Sequence, residues 1–313
     1  MEPMKKNPSV SVIVPVLNDS LQLKKCIEAL SKQTYSSENI EIIIVDNGPC
    51  AEVQNLVRQY PQCILEIKKE RGPNFARGAG IKRAKGDVIA LTDADCIPDT
   101  EWIERGISYV IHNTNCGMVG GKVQMIPRDK ANVNCVEAYD CLLYLDQYKH
   151  IIHQKFAATA NAFIPRFVLD AISPLDIAYH GSDDEEIGRR IHEAGFAMTY
   201  APDAIVYHPA QHTFSSLWRR TQRNMKGKIE FYRHQDCANS FMQFLWNARS
   251  FFKLHINHDL KCLYQASSIR KPIHTLHLYY LWLILHTGCG FKILQEYTFP
   301  LADNLSSTLN SKS

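Results

Sequence analysis

Three near-continuous apolar runs, each followed by a stretch with helical spacing, constrain this chain more than any other feature. They are "VSVIVPV" (10–16), "IEIIIVD" (40–46) and "DVIALTD" (87–93). Apolar side chains fill consecutive positions rather than alternate ones, which is the pattern of a strand buried on both faces. Between them lie "SLQLKKCIEALSKQ" (20–33), with Leu21, Leu23, Ile27 and Leu30 at helical spacing, and the helix-patterned "AEVQNLVRQY" (51–60). A weaker strand, "CILEIKK" (63–69), precedes a helix over "NFARGAGIKRAKG" (74–86) that Gly86 ends. This β-α-β-α order implies parallel strands with helices on both faces, and ligands then sit at the carboxyl ends of the strands. Asp46 and Asp93 each close such a strand.

Beyond Pro98 the spacing predicts a helix over about 99–112, a strand "CGMVGGKVQMI" (116–126) and helix around 132–148. There follow "KFAATANAFIP" (155–165), the acidic "GSDDEEIGRRIHEAG" (181–195) and a strand "FAMTYAPDAIVYH" (196–208) interrupted at Pro202. From 214 to about 256 the pattern is helical, basic and aromatic, a last helix covers about 268–292, and "SSTLNSKS" reads as a frayed tail. The expected organisation is a catalytic domain over 1–212, with a nucleotide-binding half at 8–98 and an acceptor half at 99–212. A basic helical region over 213–313 follows it.

The composition, 45% hydrophobic and 21% charged, is that of a globular protein and excludes a wholly disordered chain. The net charge of +3 is too small to argue for a nucleic-acid partner, but it is unevenly placed. From Pro209 onward 13 Lys/Arg face 5 acids, whereas residues 1–208 hold 22 basic and 27 acidic residues. That division suits a site where a metal and an anionic ligand meet, and equally suits two solvated faces of opposite bias. The ten cysteines are scattered without a CxxC, and "MEPMKKNPSV" has no apolar signal core, so the expected compartment is reducing and cytoplasmic. The apolar segment "LHLYYLWLIL" (276–285) is well short of the roughly 20 residues that span a bilayer. With Arg270 and Lys271 before it and Lys292 after it, 268–292 is expected to pack or to touch the inner face of a membrane peripherally.

The chemistry concentrates at Asp93-Ala94-Asp95. Two carboxylates that close repel each other unless a cation lies between them, and Mg²⁺ is commonly held by one or two carboxylates plus substrate phosphates. The same triplet also fits a turn cap followed by a helix N-cap, and spacing alone does not choose. The histidines show no HExxH-type spacing, and "PVLNDS" stands where a Rossmann dehydrogenase would need G-x-G-x-x-G.

Taken in order, "SVIVPVLN", "IEIIIVDNG", "RGPNFARGAGIKRAKGDVIALTDADCIP", "TANAFIPR" and "GSDDEEIGRRIHEAGF" resemble the family 2 glycosyltransferases over roughly residues 8–230. The resemblance implies the GT-A fold: an α/β, Rossmann-like, mixed but mainly parallel sheet flanked by helices, here with a helical C-terminal appendage. It implies that Pro15, Val16 and Asn18 line the nucleotide pocket and that Asp46 hydrogen-bonds the base, usually uracil, although "DNGP" is also a good turn sequence. Arg77 falls on the family's arginine under the donor; the asparagine usual after it is replaced by Gly78. By the same resemblance Asp93 contacts ribose or sugar, and Asp95 binds the Mg²⁺ or Mn²⁺ on the diphosphate, helped by His208. Aligning Arg190 with the family's arginine puts the catalytic base at Asp184 and an acceptor-side residue at Asp183, in place of a glutamate; the four acids 183–186 also leave the register open by one residue. Asn161 falls on the acceptor side. Arg220 and Arg223, with Arg219 and Lys226 nearby, fall where the family closes a basic segment over the donor phosphates, while Gln222 is followed by Arg223, Asn224 and Met225 rather than completing a Q-x-x-R-W.

The activity implied is inverting transfer from a nucleotide diphosphate sugar, UDP-linked, to a hydroxyl of a glycan or lipid-linked glycan. Two alternatives stay open: a polyprenyl-phosphate acceptor, and a non-catalytic relative that binds nucleotide sugar.

Overall fold

The computed structural model describes residues 5–70, 72–172 and 183–234, with the backbone alone at 183 and 228–234. Arg71, Gly181, Ser182, the expected helix over 268–292 and the rest of 213–313 beyond 234 lie outside the described residues.

The three apolar runs are strands, buried as their composition demands. β1 (Val10–Val16) and β2 (Ile40–Asp46) lie parallel, and Val12, Ile13, Val14, Ile43, Ile44 and Val45 have no exposure. β3 (Cys63–Ile67) extends this sheet beyond β2, and β4 (Val88–Thr92) pairs parallel to β1 on its other side. The connections are α1 (Ser20–Leu30), α2 (Ala51–Val57) and α3 (Pro73–Arg83). Asp19 caps α1 by accepting from the Gln22 amide at 3.1 Å. The buried face of α1 is Leu23, Cys26, Ile27 and Leu30; Leu21, expected on that face, is 78% exposed. α3 lies close on β1 because Gly80 has no side chain: a Cβ there would sit 2.4 Å from Ile13 Cγ2.

The second half turns the sheet mixed. After the two-residue β5 (Ile97–Pro98) come α4 (Trp102–His112), β6 (Cys116–Ile126), α5 (Cys135–Leu143) and α6 (Gln147–Lys149). A single π-turn (His150–Gln154) continues α6, so the helix expected over 132–148 is broken at Leu145, whose φ is 54°. β7 (Asn161–Pro165), α7 (Arg166–Ala171), α8 (Asp183–Glu193), β8 (Ala197–Pro209) and α9 (Phe214–His234) complete the described chain. The sheet order is β3-β2-β1-β4-β7-β6-β8-β5, with β7 antiparallel to both β4 and β6.

The expected interruption at Pro202 is a bulge inside one 13-residue strand. Gly121 pairs with Ala201 but Lys122 pairs with Ile205, so residues 202–204 loop out where proline offers no N–H to the ladder. Asn161 closes the gap, its Nδ2 donating to the carbonyls of Lys122 and Ala204, both at 2.9 Å, while its Oδ1 accepts from Trp102 Nε1 at 2.8 Å.

The chain forms two compact units. The first comprises the residues up to Ile126 with Tyr144–Pro209, and the second Pro127–Leu143 with the chain from Ala210. The division after β8 falls between Pro209 and Ala210, and 127–143 groups with the second unit. No helix among the described residues is long and apolar enough to cross a membrane.

Candidate functional site

The carboxyl ends of β1, β2 and β4 carry the expected nucleotide-side residues. The β1–β2 register sets Pro15 beside Val45 and Val16 beside Asp46; Asn18 follows on the exposed loop with φ 54°. Asp46 is fully buried, and its carboxylate accepts from the Cys50 amide at 2.9 Å, Gln54 Nε2 at 3.1 Å and the Gly48 amide at 3.4 Å. It thereby shapes the turn into α2. Asn47, which sequence reasoning passed over, holds the opposite wall: its Nδ2 donates to the Glu70 carbonyl at 2.6 Å and its Oδ1 accepts from the Gly72 amide at 2.7 Å. Arg77, nearly buried on α3, donates through Nη2 to Asp93 Oδ1 at 2.9 Å.

A second pair of strands brings the metal candidates together. β5 runs antiparallel to β8 with Ile97 opposite Tyr207, so Asp95, two residues before Ile97, reaches the imidazole of His208. The Asp95 Oδ1 to His208 Nε2 distance is 3.7 Å, and the His208 side chain is 8% exposed while that of Asp95 is 40% exposed. His208 Nδ1 lies 2.9 Å from the Pro209 carbonyl; a carbonyl only accepts, so Nδ1 donates this bond, and Nε2 is the ring nitrogen turned to Asp95. Burial pushes the Asp95 carboxyl above the usual carboxylate range; His208 opposes that and the neighbouring Asp93 charge adds to it. A carboxylate oxygen and an imidazole nitrogen side by side at an open mouth are donors that suit a divalent cation, so the residues fit one. Cys96, not singled out by the sequence, completes the group: ligand atoms of Asp95, Cys96 and His208 all lie within 4.8 Å of one another.

The acids of α8 separate by role. Glu186 is buried and held by both arginines that follow it: Arg189 Nε and Nη2 donate at 2.9 and 2.8 Å, and Arg190 Nε at 2.6 Å. Asp184 turns instead to the strand edge, its Oδ2 accepting from the Thr159 amide at 3.2 Å. Because Asn161 pairs with Thr92 at the end of β4, and Thr92 Oγ1 donates to the Ala160 carbonyl at 3.0 Å, this bond fixes Asp184 to the segment flanking the Asp93–Asp95 turn. Asp183 begins the helix, where acids complement the helix dipole. Asn161 is fully buried with both amide hydrogens committed to the bulge, so it acts on the site by holding the sheet.

The basic segment lies in the second unit. Arg220 is buried and forms a two-pronged ion pair with Asp140 of α5, whose Oδ2 also accepts from the Gln211 amide at 2.8 Å. Arg219, Arg223 and Lys226 are exposed. Glu137 and Asp140, three apart on α5, are both nearly inaccessible, and two acids on one helical face among apolar neighbours were the signal that α5 awaits donors.

The sequence profile of the glycosyltransferase-like family 2 matches residues 8–227. The glycosyltransferase AglE of Haloferax volcanii is 31% identical over 230 residues, covering 72% of this chain and 74% of AglE. The probable glycosyltransferase YdaM of Bacillus subtilis is 24% identical over 242 residues, 72% of this chain and 56% of YdaM. Among solved structures, the mannosyltransferase PcManGT from Pyrobaculum calidifontis, in complex with GDP-Man and Mn²⁺, aligns with a TM-score of 0.58 at 16% identity, over 93% of this chain and 82% of that one. TarS of S. aureus aligns with a TM-score of 0.50 over 72% of this chain and 40% of that one, at 14% identity.

Proposed function

The chain belongs to the glycosyltransferase-like family 2 and has the GT-A fold, and from that premise we propose that it moves a sugar, with inversion, from a nucleotide diphosphate donor to a hydroxyl of a glycan or lipid-linked glycan. The observation that carries this reading is the meeting of Asp95 with His208 Nε2, flanked by the strand edge that holds Asp184.

In this mechanism Asp184 accepts the proton of the acceptor hydroxyl as its oxygen attacks the anomeric carbon. The bond to the diphosphate breaks on the opposite face as the new bond forms, so a single displacement inverts the centre. Asp95 and His208 would hold a Mg²⁺ or Mn²⁺ ion, with Cys96 behind them. When bound, such an ion neutralises charge that builds on the departing diphosphate. Arg77 keeps Asp93 turned toward the ribose–sugar side, and Asp46 with Asn47 fixes the two loops between which the base would lie.

A uridine donor is the form proposed, and the GDP-Man bound by PcManGT makes guanosine donors the natural comparators. The test is turnover of UDP- and GDP-sugars with Mn²⁺ by the full chain, followed by nucleotide diphosphate release and the anomeric configuration of the product. Asp95→Ala and Asp184→Asn should each lower transfer at least about 100-fold. The reading fails if no nucleotide sugar binds or turns over, or if Asp95→Ala transfers normally.

A further inference from the structure

The outer face of α9 sets an exposed aromatic ring beside the cations Arg219, Arg223 and Lys226, which the resemblance places near the donor phosphates. Thr213 starts the helix, its Oγ1 accepting from the Ser216 amide at 3.2 Å and its carbonyl from Ser216 Oγ at 2.9 Å. The inner face is then filled within the second unit: Leu217 is 1% exposed against Ala138 and Tyr139, and Arg220 closes on Asp140. At the edge of this face Phe214, 42% exposed, stacks on Trp218, itself half-buried against the same cluster, with centroids 6.1 Å apart and planes 15° apart. Beside this ring pair Arg219, Arg223 and Lys226, four and three residues apart, form one exposed cationic stripe. α9 has six basic residues and a single acid, Glu230, and none of the acids falls within 214–227.

We propose that α9 docks the protein on an anionic lipid surface, with Phe214 entering the headgroup–acyl boundary and Arg219, Arg223 and Lys226 meeting lipid phosphates. Side-by-side aromatic and cationic stripes on a helix too polar to cross a bilayer are the arrangement of a helix lying in the interface plane. Charge complementarity chooses an anionic leaflet, because 13 basic residues face 5 acids from Pro209 onward. The exposed Phe214 ring chooses lipid over a soluble polyanion, since a polyanion would use the cations and leave Phe214 in water. This inference is independent of the proposed reaction and adds a docking surface to the one expected at 268–292.

The experiment is co-sedimentation of the full chain with phosphatidylcholine vesicles, plain or containing phosphatidylglycerol. Wild type should pellet with the anionic vesicles only, and high salt should release most of it. Phe214→Ser, an exposed position away from the Leu217 contact, should weaken that binding about ten-fold, and Trp218→Phe should largely retain it. Arg219→Glu/Lys226→Glu should abolish the anionic preference, and unchanged thermal melts would separate these effects from misfolding. Absent or lipid-independent binding overturns the proposal. So does wild-type binding by Phe214→Ser and the charge-reversed variant, which places the contact at 268–292. Heparin retention without vesicle binding also overturns it, in favour of a soluble polyanion.

Discussion

His208 shows how one side chain acquires a role from a hydrogen bond rather than from its identity. Its bond to the Pro209 carbonyl holds Nδ1 and leaves Nε2 aimed at Asp95. His208→Ala should therefore weaken Mn²⁺ binding by about 10- to 100-fold without lowering the melting temperature of the metal-free protein, as titration calorimetry with the full chain would read. Unchanged Mn²⁺ affinity would remove His208 from the site. The thiols make a second residue-level case. Burial raises the Cys26 and Cys96 thiols above the ordinary range, with Asp93 and Asp95 adding to the effect, and burial pushes Cys116 up to about 12. Cys50 is only half-buried. Iodoacetamide near pH 8 should label Cys50 in the native protein and leave Cys26, Cys96 and Cys116 intact until denaturant is added, as peptide mass mapping would record. Early labelling of Cys96 would contradict the closed packing behind Asp95.

At the scale of elements, α8 combines a catalytic candidate with a structural acid. Burial alone would raise Glu186, but hydrogen bonds from Arg189 and Arg190 outweigh it and hold the carboxyl below its usual value. A carboxyl depressed in the folded state stabilises it above the unfolded value and loses that contribution as pH falls through the folded value. Glu186→Gln should thus cost about 1–3 kcal/mol at neutral pH, and the two melting temperatures should converge below about pH 4. A constant difference across that range would assign the effect to packing instead. α3 gives a case without charge. A Cβ at Gly80 meets Ile13 in a close-packed core, so Gly80→Ala should destabilise by about 1–3 kcal/mol in urea unfolding even though alanine is the better helix former.

For the whole molecule, the two units divide the expected site residues between them. Asp93, Asp95, Asp184 and His208 belong to the first, while Arg220 and Arg223 belong to the second. Removing one partner of a buried ion pair leaves an uncompensated charge, so Arg220→Ala should destabilise by about 3–5 kcal/mol, whereas Asp140→Leu/Arg220→Met should recover most of the loss. If the recovered double variant melts like wild type yet fails to transfer, Arg220 has a role at the donor besides its ion pair; if it transfers, the arginine is structural. Much of this protein was legible in the sequence because local physics is enough to write it. Consecutive β-branched residues at 10–16 and 40–46 can satisfy burial only as central strands, and acids at the ends of β2 and β4 must then lie at the ligand edge. Leu21 misled because helical spacing predicts a face but not how much of that face the sheet covers. Glu186, Asn161 and Arg220 carry the same polar groups as a binding residue, and only the folded chain reveals the partners that each one holds. The sequence determined the strands, the helices and the acids available to the site. The antiparallel pairing of β5 with β8, of β7 with β4, and the bulge at 202–204 decided which acid meets His208 and which meets Thr159, because these pairings join residues about 70 to more than 100 positions apart and no local pattern encodes their register.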